Sequence, residues 1–390
     1  MPNYRLVTRR RTLCMGLASL TTIKAVEIAK IEQQNRQIQM LDNPTRDFKI
    51  LGKKTLRERA LDKGLFFGSA SGEDKLSPDT AFATRFTKEC NILVPEGALK
   101  WNALRPAPNK FDFSEGDWLV KFAHTHGMLF RGHTLVWHYA LPKWFKEIVN
   151  PQNAEKFFTE HIATVTKHYA GQMHSWDVVN EAIEPDDGRS DGLRNKNTPW
   201  FEFLGPDYIE LAFRVAAEAD PKALLVYNEA GLEYDIPTHE ARRSAVLKLL
   251  ERLKSKGTPI HALGIQSHLA GDETHFNPKK LQKFLNDVAS LGLKILITEL
   301  DVKDQRLPVD PTVRDHIIAA AYEDYLSVVL DEPAVIAVLT WGLSDRYSWL
   351  SIYSPRSDGA LVRPLPLDVN LKPKLAWNAI ARAFDKSPKH

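Results

Sequence analysis

The feature that most constrains this chain is a rhythm in which a short apolar run is followed by an amphipathic helical pattern. The rhythm repeats eight times across residues 65–385. Several runs are apolar on both faces, as expected of parallel strands that helices cover on one side and a packed barrel interior covers on the other. We therefore predict a (β/α)₈ TIM barrel of the α/β class. The predicted strands span residues 65–68, 91–95, 129–132, 176–179, 224–227, 263–266, 295–298 and 335–339.

Helical patterns at residues 153–169, 207–218, 238–256, 278–290, 312–330 and 373–384 separate or follow these strands. A doubly wound open sheet is the alternative architecture. Such a sheet has fewer strands and a glycine-rich first turn, and this chain has no such turn. The sequence thus favours a single catalytic barrel domain over residues 55–385, preceded by an N-terminal extension.

Composition narrows the class of protein further. Hydrophobic residues make up 43% of the chain and charged residues 26%, which excludes wholesale disorder. No apolar run is long enough to predict a membrane span. Residues 1–64 carry 14 Lys and Arg against 6 Asp and Glu, whereas the rest carries 38 against 43. The body is therefore mildly acidic, which argues against nucleic acid as a partner. Two cysteines cannot build a disulfide framework.

The N-terminus is typical of a targeting segment. Arg9, Arg10 and Arg11 precede a weakly apolar stretch at residues 13–23. This pattern indicates a twin-arginine export signal over residues 1–24, and hence a periplasmic or secreted protein. A disordered basic tail is the alternative. Residues 25–54 have helical spacing with many amides, and we interpret them as a linker or helical extension.

Polar side chains stand where one predicted strand after another ends, which is where barrel enzymes place their chemistry. Two glutamates are prominent among them. Glu181 ends the fourth predicted strand and Glu299 ends the seventh, three steps away around a ring of eight. Both carboxyl groups can therefore face one mouth. A pair of acids flanking one bond is what glycoside hydrolysis needs, with one protonated and the other ionised.

The neighbours of the two glutamates suit a sugar site. Asp301 shares a strand face with Glu299, and His268 on the neighbouring strand is expected to orient Glu299 by hydrogen bonds. Asn180, beside Glu181, offers an amide for a sugar hydroxyl. Tryptophans at or beyond strand ends offer flat faces on which sugar rings stack, and these are Trp137, Trp341 and Trp349.

With these motifs in order, the sequence resembles glycoside hydrolase family 10, the retaining endo-1,4-β-xylanases, from about residue 55 to residue 384. The resemblance rests on RGHTLVWH at residues 131–138, WDVVNEA at 176–182, GIQSH at 264–268, ITELD at 297–301, and TWG at 340–342 with DRYSW at 345–349.

The resemblance implies roles for individual residues. Glu181 would be the acid/base and Glu299 the nucleophile, with carboxyl groups about 5–5.5 Å apart. Glu96 and Lys100 would bind the next sugar toward the non-reducing end, and Trp349 would crowd a hexose CH₂OH group. The residues implied to hold the attacked sugar are His133, Trp137, Asn180, Gln266, His268 and Trp341. No cofactor or metal is implied, the partner is xylan or a xylo-oligosaccharide, and a monomer is expected.

The chain departs from the family pattern at two places. Glu96 is followed by Gly97 where the family has asparagine, which removes a hydroxyl contact in the distal glycone subsite. Residues 228–231 read Asn-Glu-Ala-Gly where the family has Asn-Asp-Tyr-Asn, which puts contacts on the leaving-group side in doubt. We predict altered subsite preference with the chemistry retained.

Three other functions are compatible with parts of this pattern. A related barrel β-1,4-glucanase or cellulase would use the same two glutamates. A non-catalytic carbohydrate-binding protein would keep the tryptophans without needing both acids. A metal-dependent hydrolase would need paired histidines, and His124 and His126 lie in a helical stretch where residues two apart face different directions.

Overall fold

A computed structural model describes residue 43 and residues 45–390 of the chain. The predicted export signal and residues 25–42 of the predicted linker lie outside the described residues. Residues 47–390 form one compact unit, which contains the whole predicted barrel domain. Its first residues, 47–54, adopt neither helix nor strand.

Eight parallel strands close into a ring, which confirms the TIM barrel. Around the ring β1 to β6 pair in chain order, β6 pairs with β8, β8 with β9 and β9 with β1, so the ring has no free edge. A ninth short strand, β7, lies outside the ring and pairs only with the end of β8. The strands are β1 Phe66–Ser71, β2 Ile92–Pro95, β3 Leu129–Val136, β4 Ser175–Asn180, β5 Leu224–Glu229, β6 Ala262–Ile265, β7 His268–Ala270, β8 Lys294–Lys303 and β9 Val335–Thr340.

Helices alternate with the strands, and short helices and two 3₁₀ turns, Pro185–Asp187 and Asp345–Tyr347, lie in the loops. The α-helices are α1 Leu56–Leu61, α2 Glu73–Leu76, α3 Thr80–Glu89, α4 Trp101–Leu104, α5 Ser114–Thr125, α6 Phe145–Ile148, α7 Ala154–His168, α8 Pro199–Leu204, α9 Tyr208–Ala219, α10 Pro237–Ser255, α11 Pro278–Ser290, α12 Pro311–Val329, α13 Leu350–Tyr353 and α14 Leu375–Lys386.

All eight predicted strands exist, but the placement of His268 at the end of the sixth strand was wrong. The strand predicted at residues 263–266 ends at Ile265, because Ser267 adopts a left-handed φ of 63° that breaks the extended chain. His268 therefore lies on the separate strand β7 rather than at the end of the ring strand. This strand pairs His268 with Asp301, since β8 runs well beyond its predicted end at residue 298.

Local signals set where the main helices begin. Proline occupies the first turn of α10, α11 and α12, where a missing backbone N–H costs nothing. Asn277 and Asp310 cap α11 and α12 by accepting hydrogen bonds from backbone N–H groups of the first turn. These prolines and caps mark helix starts that directly follow loops at the C-terminal ends of the strands.

Apolar side chains fill the barrel interior and the layer between strands and helices. An interior cluster joins residues of six strands, and it comprises Ala70, Ile92, Val94, Val226, Ala262, Leu296, Ala337, Leu339 and Trp341. At the N-terminal ends of the strands, which we call the lower rim, α14 returns to the start of the barrel and its Asp385 pairs with Arg59. Beyond α14, the His390 N–H donates to the Lys63 carbonyl at 2.8 Å. Across residues 45–390, no helix combines the length and apolarity that crossing a bilayer requires.

Candidate active site

A cleft of about 1440 Å³ opens at the C-terminal ends of the strands. It brings together eleven of the twelve residues that the sequence predicted for the site, and Asp301 lies directly behind it. The eleven are Glu96, Lys100, His133, Trp137, Asn180, Glu181, Gln266, His268, Glu299, Trp341 and Trp349. The prediction that strand-end residues converge is thus confirmed for this set.

Glu181 begins the loop after β4 with a left-handed φ of 55°. Its backbone N–H donates to the Asn228 carbonyl at 2.9 Å, which ties the residue to β5. Both carboxyl oxygens accept hydrogen bonds, one from Trp137 Nε1 and one from Gln266 Nε2, each at 2.9 Å. The side chain is partly exposed in the cleft, so substrate can reach it.

Glu299 lies on β8 with 5% of its surface exposed. Asn228 Nδ2 donates to one oxygen at 2.8 Å, and His268 Nε2 lies 3.3 Å from the other. Burial by itself raises the pKa of Glu299, but the hydrogen bond from His268 and the charges of His133 and His268 lower it to about 2. Glu299 is therefore ionised throughout the neutral range.

His268 links Glu299 to a second carboxylate. Its Nδ1 lies 2.9 Å from Asp301 Oδ1, and Trp349 Nε1 donates to the other Asp301 oxygen at 2.8 Å. Burial lowers the pKa of His268, but the two facing carboxylates outweigh it and raise this pKa to about 10. The expected orientation of Glu299 by His268 is confirmed, and the imidazolium is held between two negative groups.

A chain of amides connects the two glutamates. Gln266 Nε2 donates to Glu181 and, at 3.4 Å, to Asn180 Oδ1. Asn228 Nδ2 donates to the same Asn180 oxygen at 2.8 Å as well as to Glu299. The carboxyl groups of Glu181 and Glu299 thus belong to one hydrogen-bonded network whose side chains come from β4, β5, β8 and the loop after β6.

His133 lies at the floor of the cleft and is oriented from beneath. Its Nδ1 lies 3.0 Å from Asp177 on the neighbouring strand, and Arg131 also pairs with Asp177. The His133 ring meets the Trp341 ring edge-on at 5.2 Å between centroids. The buried Arg131–Asp177 pair thus fixes the orientation of the His133 imidazole.

The far end of the cleft carries the residues expected to bind a more distant sugar. Glu96 pairs with Lys75 from α2, and Lys100 Nζ lies 5.0 Å from the Trp137 ring centroid. Burial lowers the pKa of Lys100, and the charges of Glu299, Glu96 and Glu181 oppose this effect. At Gly97 an added Cβ would meet nothing within 4 Å, so crowding at the Cβ position does not explain the missing asparagine.

A second cavity of about 470 Å³ is lined by Glu181 and does not include Glu299. Glu229, Ala230 and Gly231, which depart from the family pattern, line it together with Arg194 and Arg242. Ala230 and Gly231 thus stand where the family pattern has an aromatic residue and an amide, and Glu229 keeps a carboxylate.

Sequence reasoning missed residues that support the site without lying in the cleft. Asp177 and Asn228 both stand in strand-end motifs, and two-residue alternation along β4 and β5 offers a signal for their facing the barrel interior. Glu229 was noted only as a departure from the family. Within the described part of the chain, no group of three or more His, Cys, Asp or Glu side chains is arranged to hold a metal ion.

Comparison with known proteins agrees with this geometry. Residues 55–383 match the model of Glycosyl hydrolase family 10. Endo-1,4-beta-xylanase B of Thermotoga neapolitana is 34% identical over 339 residues, which cover 86% of this chain and 92% of that protein. Beta-1,4-xylanase of Dictyoglomus thermophilum is 36% identical over 305 residues, 76% and 82% of the respective chains.

Solved structures show the same architecture. Native xylanase 10B from Thermotoga maritima superposes with a TM-score of 0.76 at 32% identity, covering 85% of this chain and 98% of that one. Xylanase 10B from Thermotoga petrophila RKU-1, solved with xylobiose, gives 0.77 at 32% identity over 87% and 99%. With its barrel, its paired glutamates and these relatives, the chain belongs to glycosyl hydrolase family 10 and is a glycoside hydrolase.

Proposed function

We propose that this enzyme hydrolyses internal β-1,4-xylosidic linkages of xylan by double displacement, with retention of anomeric configuration. The observation that carries the proposal is the contrast between two glutamates in one cleft. Glu299 is buried and held ionised by a cationic imidazole, whereas Glu181 is partly exposed and hydrogen-bonded by Trp137 and Gln266. Such a difference in surroundings is how an acid and a nucleophile coexist.

In the first step, the Glu299 carboxylate attacks the anomeric carbon as Glu181 gives its proton to the departing glycosidic oxygen. The bond to the leaving sugar breaks and a glycosyl ester on Glu299 forms. In the second step, Glu181, now a carboxylate, takes a proton from water as that water attacks the same carbon and releases Glu299. The His268–Asp301 pair holds the Glu299 oxygens in place through both steps.

Xylan is the proposed substrate because the relatives named above are xylanases and one was solved with xylobiose. Trp349 supports this choice, since its position at the cleft rim suits the crowding of a hexose CH₂OH group. A β-1,4-glucanase would share the chemistry. Side-by-side rates on xylan and carboxymethyl cellulose separate the two, and faster cleavage of the cellulose derivative would overturn the assignment.

Substitution of the two glutamates tests the mechanism. Glu299→Ala should abolish turnover of xylan and of aryl xylobiosides alike, because no group remains to form the ester. Glu181→Ala should slow xylan cleavage by about 10²–10⁴-fold. It should spare the burst of phenolate from a dinitrophenyl xylobioside, whose leaving group needs no proton. Circular dichroism checks that both variants fold, and NMR of the first-formed anomer reads retention directly.

Export and oligomeric state stay predictions. The arginines at positions 9–11 support the proposal of a periplasmic or secreted enzyme, and the open cleft suits a polymer met outside the cell. We also propose that the enzyme acts as a monomer, since one chain supplies both glutamates. Fractionation of cells and sedimentation of the purified protein test these two points.

A further inference from the structure

The loop that carries Glu181 needs support from its surroundings. Glu181 is not glycine, yet its φ of 55° lies in the left-handed region. Such a conformation is unfavourable for a non-glycine residue and persists only where neighbouring groups hold it. Since the direction of the Glu181 side chain depends on this backbone angle, whatever holds the loop also aims the carboxyl group.

A buried side chain, Glu229, and a half-buried one, Arg242, hold both backbone groups of Ile183, two residues after Glu181. Glu229 Oε2 accepts a hydrogen bond from the Ile183 N–H at 3.1 Å. Arg242 Nη1 donates to the Ile183 carbonyl at 2.6 Å. The two side chains also face each other as an ion pair, with Arg242 Nη1 3.8 Å from Glu229 Oε1. We refer to Glu229 and Arg242 together as the Ile183 clamp.

The rest of the loop is bound from the same side. Arg242 Nη2 donates to both carboxyl oxygens of Glu184 at 2.7 and 2.8 Å. Arg194 donates from Nε to the Glu181 carbonyl at 3.0 Å, and its backbone N–H donates to the Ala182 carbonyl at 2.7 Å. The backbone carbonyls of residues 181–183 therefore all have arginine partners, so the loop has little freedom to turn.

Glu229 is itself rigidly placed. It is fully buried, the Tyr227 hydroxyl donates to the same oxygen that holds Ile183, and the Ala230 N–H donates to the other oxygen at 3.1 Å. Burial raises the pKa of Glu229 to about 7 against the opposing hydrogen bond from Tyr227, and the charge of Glu181 adds to the rise. Both carboxyl oxygens of Glu229 accept hydrogen bonds from these partners. Glu229 can therefore affect the reaction by holding the loop that carries Glu181.

We propose that the Ile183 clamp positions the acid/base: Glu229 and Arg242 hold the left-handed loop in the one arrangement that aims the Glu181 carboxyl at the leaving-group oxygen. This inference rests on the proposed role of Glu181. It makes Glu229, which departs from the family pattern, a positioning residue rather than a catalytic one. Loss of the clamp should impair proton transfer while leaving attack by Glu299 intact.

The test compares two substrates in the full-length enzyme. Glu229→Ala and Arg242→Ala should each lower kcat/KM on xylan at least about tenfold more than they lower the burst rate on a dinitrophenyl xylobioside, because only xylan needs the proton. Glu229→Gln should recover part of the xylan rate, since its amide oxygen can accept from the Ile183 N–H. Arg242 is on the partly exposed face of α10, so its variant provides a second reading if Glu229→Ala folds poorly.

Glu89→Gln is the matched control. Glu89 is equally buried and accepts hydrogen bonds from Trp377 Nε1 and the Leu56 N–H at the opposite end of the barrel. Its loss should reduce stability without changing the ratio of the two rates. Equal losses on both substrates in the clamp variants, or no loss on either, would overturn the clamp. If Glu181→Ala itself shows no preference between substrates, the acid/base assignment has failed instead.

Discussion

At the scale of single residues, the two glutamates differ because their partners differ in charge. Glu299 faces a histidine that two carboxylates keep protonated, whereas Glu181 meets only neutral donors, an indole and an amide. Opposite charge at close range lowers the pKa of a carboxyl group, and this is the effect of His268 on Glu299. In the proposed mechanism, side chains that do not touch the scissile bond therefore distinguish the nucleophile Glu299 from the acid Glu181.

Replacing His268 should move the acidic limb of the pH profile. Glu299 must be ionised to attack, and its pKa of about 2 keeps the limb of kcat/KM well below pH 4.5. His268→Gln removes the cation and leaves burial to dominate, so the pKa of Glu299 rises and the limb moves upward by at least about one unit. Rates on a dinitrophenyl xylobioside from about pH 1 to 8, taken as initial rates within the time over which the enzyme stays folded, measure the shift.

His161→Gln is the control for this experiment. His161 is a buried histidine that stacks on Trp101 at 3.6 Å and contacts neither glutamate. Its loss should leave the acidic limb where it is in the wild-type enzyme. An unmoved limb in His268→Gln would mean that other groups keep Glu299 ionised.

At the scale of elements, close approach between β3 and β4 positions the floor of the cleft. Gly132 lies opposite Trp176 in the register, and the next pair along is His133 with Asp177. A Cβ added at Gly132 would stand 2.1 Å from the buried Trp176 ring. Glycine is thus needed here for space, because the indole fills the volume that a side chain would occupy.

Gly132→Ala should destabilise the protein by about 1–3 kcal/mol, the usual cost of overpacking a filled core. It should also raise KM, since His133 and its Asp177 partner lie one residue further along the same two strands. Urea denaturation and initial rates measure the two effects. Gly97→Ala, where the added methyl group meets nothing within 4 Å, should leave the unfolding midpoint unchanged. A similar midpoint for both variants would contradict this account.

At the scale of the whole molecule, the barrel separates stability from chemistry along its axis. The cleft and its polar side chains occupy the C-terminal ends of the strands, while α1 and α14 join the two ends of the described unit near the opposite rim. Phe384 packs edge-on against Phe67 there, at 5.9 Å between ring centroids. We therefore expect substitutions at the lower rim to change stability without changing activity, and substitutions in the cleft to change activity with less effect on stability.

Phe384→Ala should lower the free energy of unfolding by about 3–5 kcal/mol, because a large aromatic side chain leaves a cavity. Below its melting transition the variant should keep the wild-type kcat and KM on xylan. Trp349→Ala should show the reverse, with a smaller loss of stability and a severalfold lower kcat/KM. Calorimetry and rates on xylan compare them. A matching fall in activity for Phe384→Ala would show that the two rims are coupled.

Much of this protein follows from local sequence pattern. The two-faced apolar runs predict the eight strands, and the strand-end motifs predict the eleven cleft residues, because parallel strands closed in a ring bring their C-terminal ends together whatever the details of packing. The predicted bounds of the six helices agree with the observed bounds within two residues. Prolines and capping side chains mark where α10, α11 and α12 begin.

What only the tertiary structure decided is which partners meet across the chain. The left-handed break at Ser267 that transfers His268 to its own strand depends on contacts made elsewhere. Glu229 meets Arg242 of α10 and Ile183 of another loop only in the folded chain, so the sequence around residue 229 does not predict these contacts. Periodicity reports which face of an element is apolar. Burial and pairing of charges depend on residues far apart in sequence, and only the folded chain brings those together.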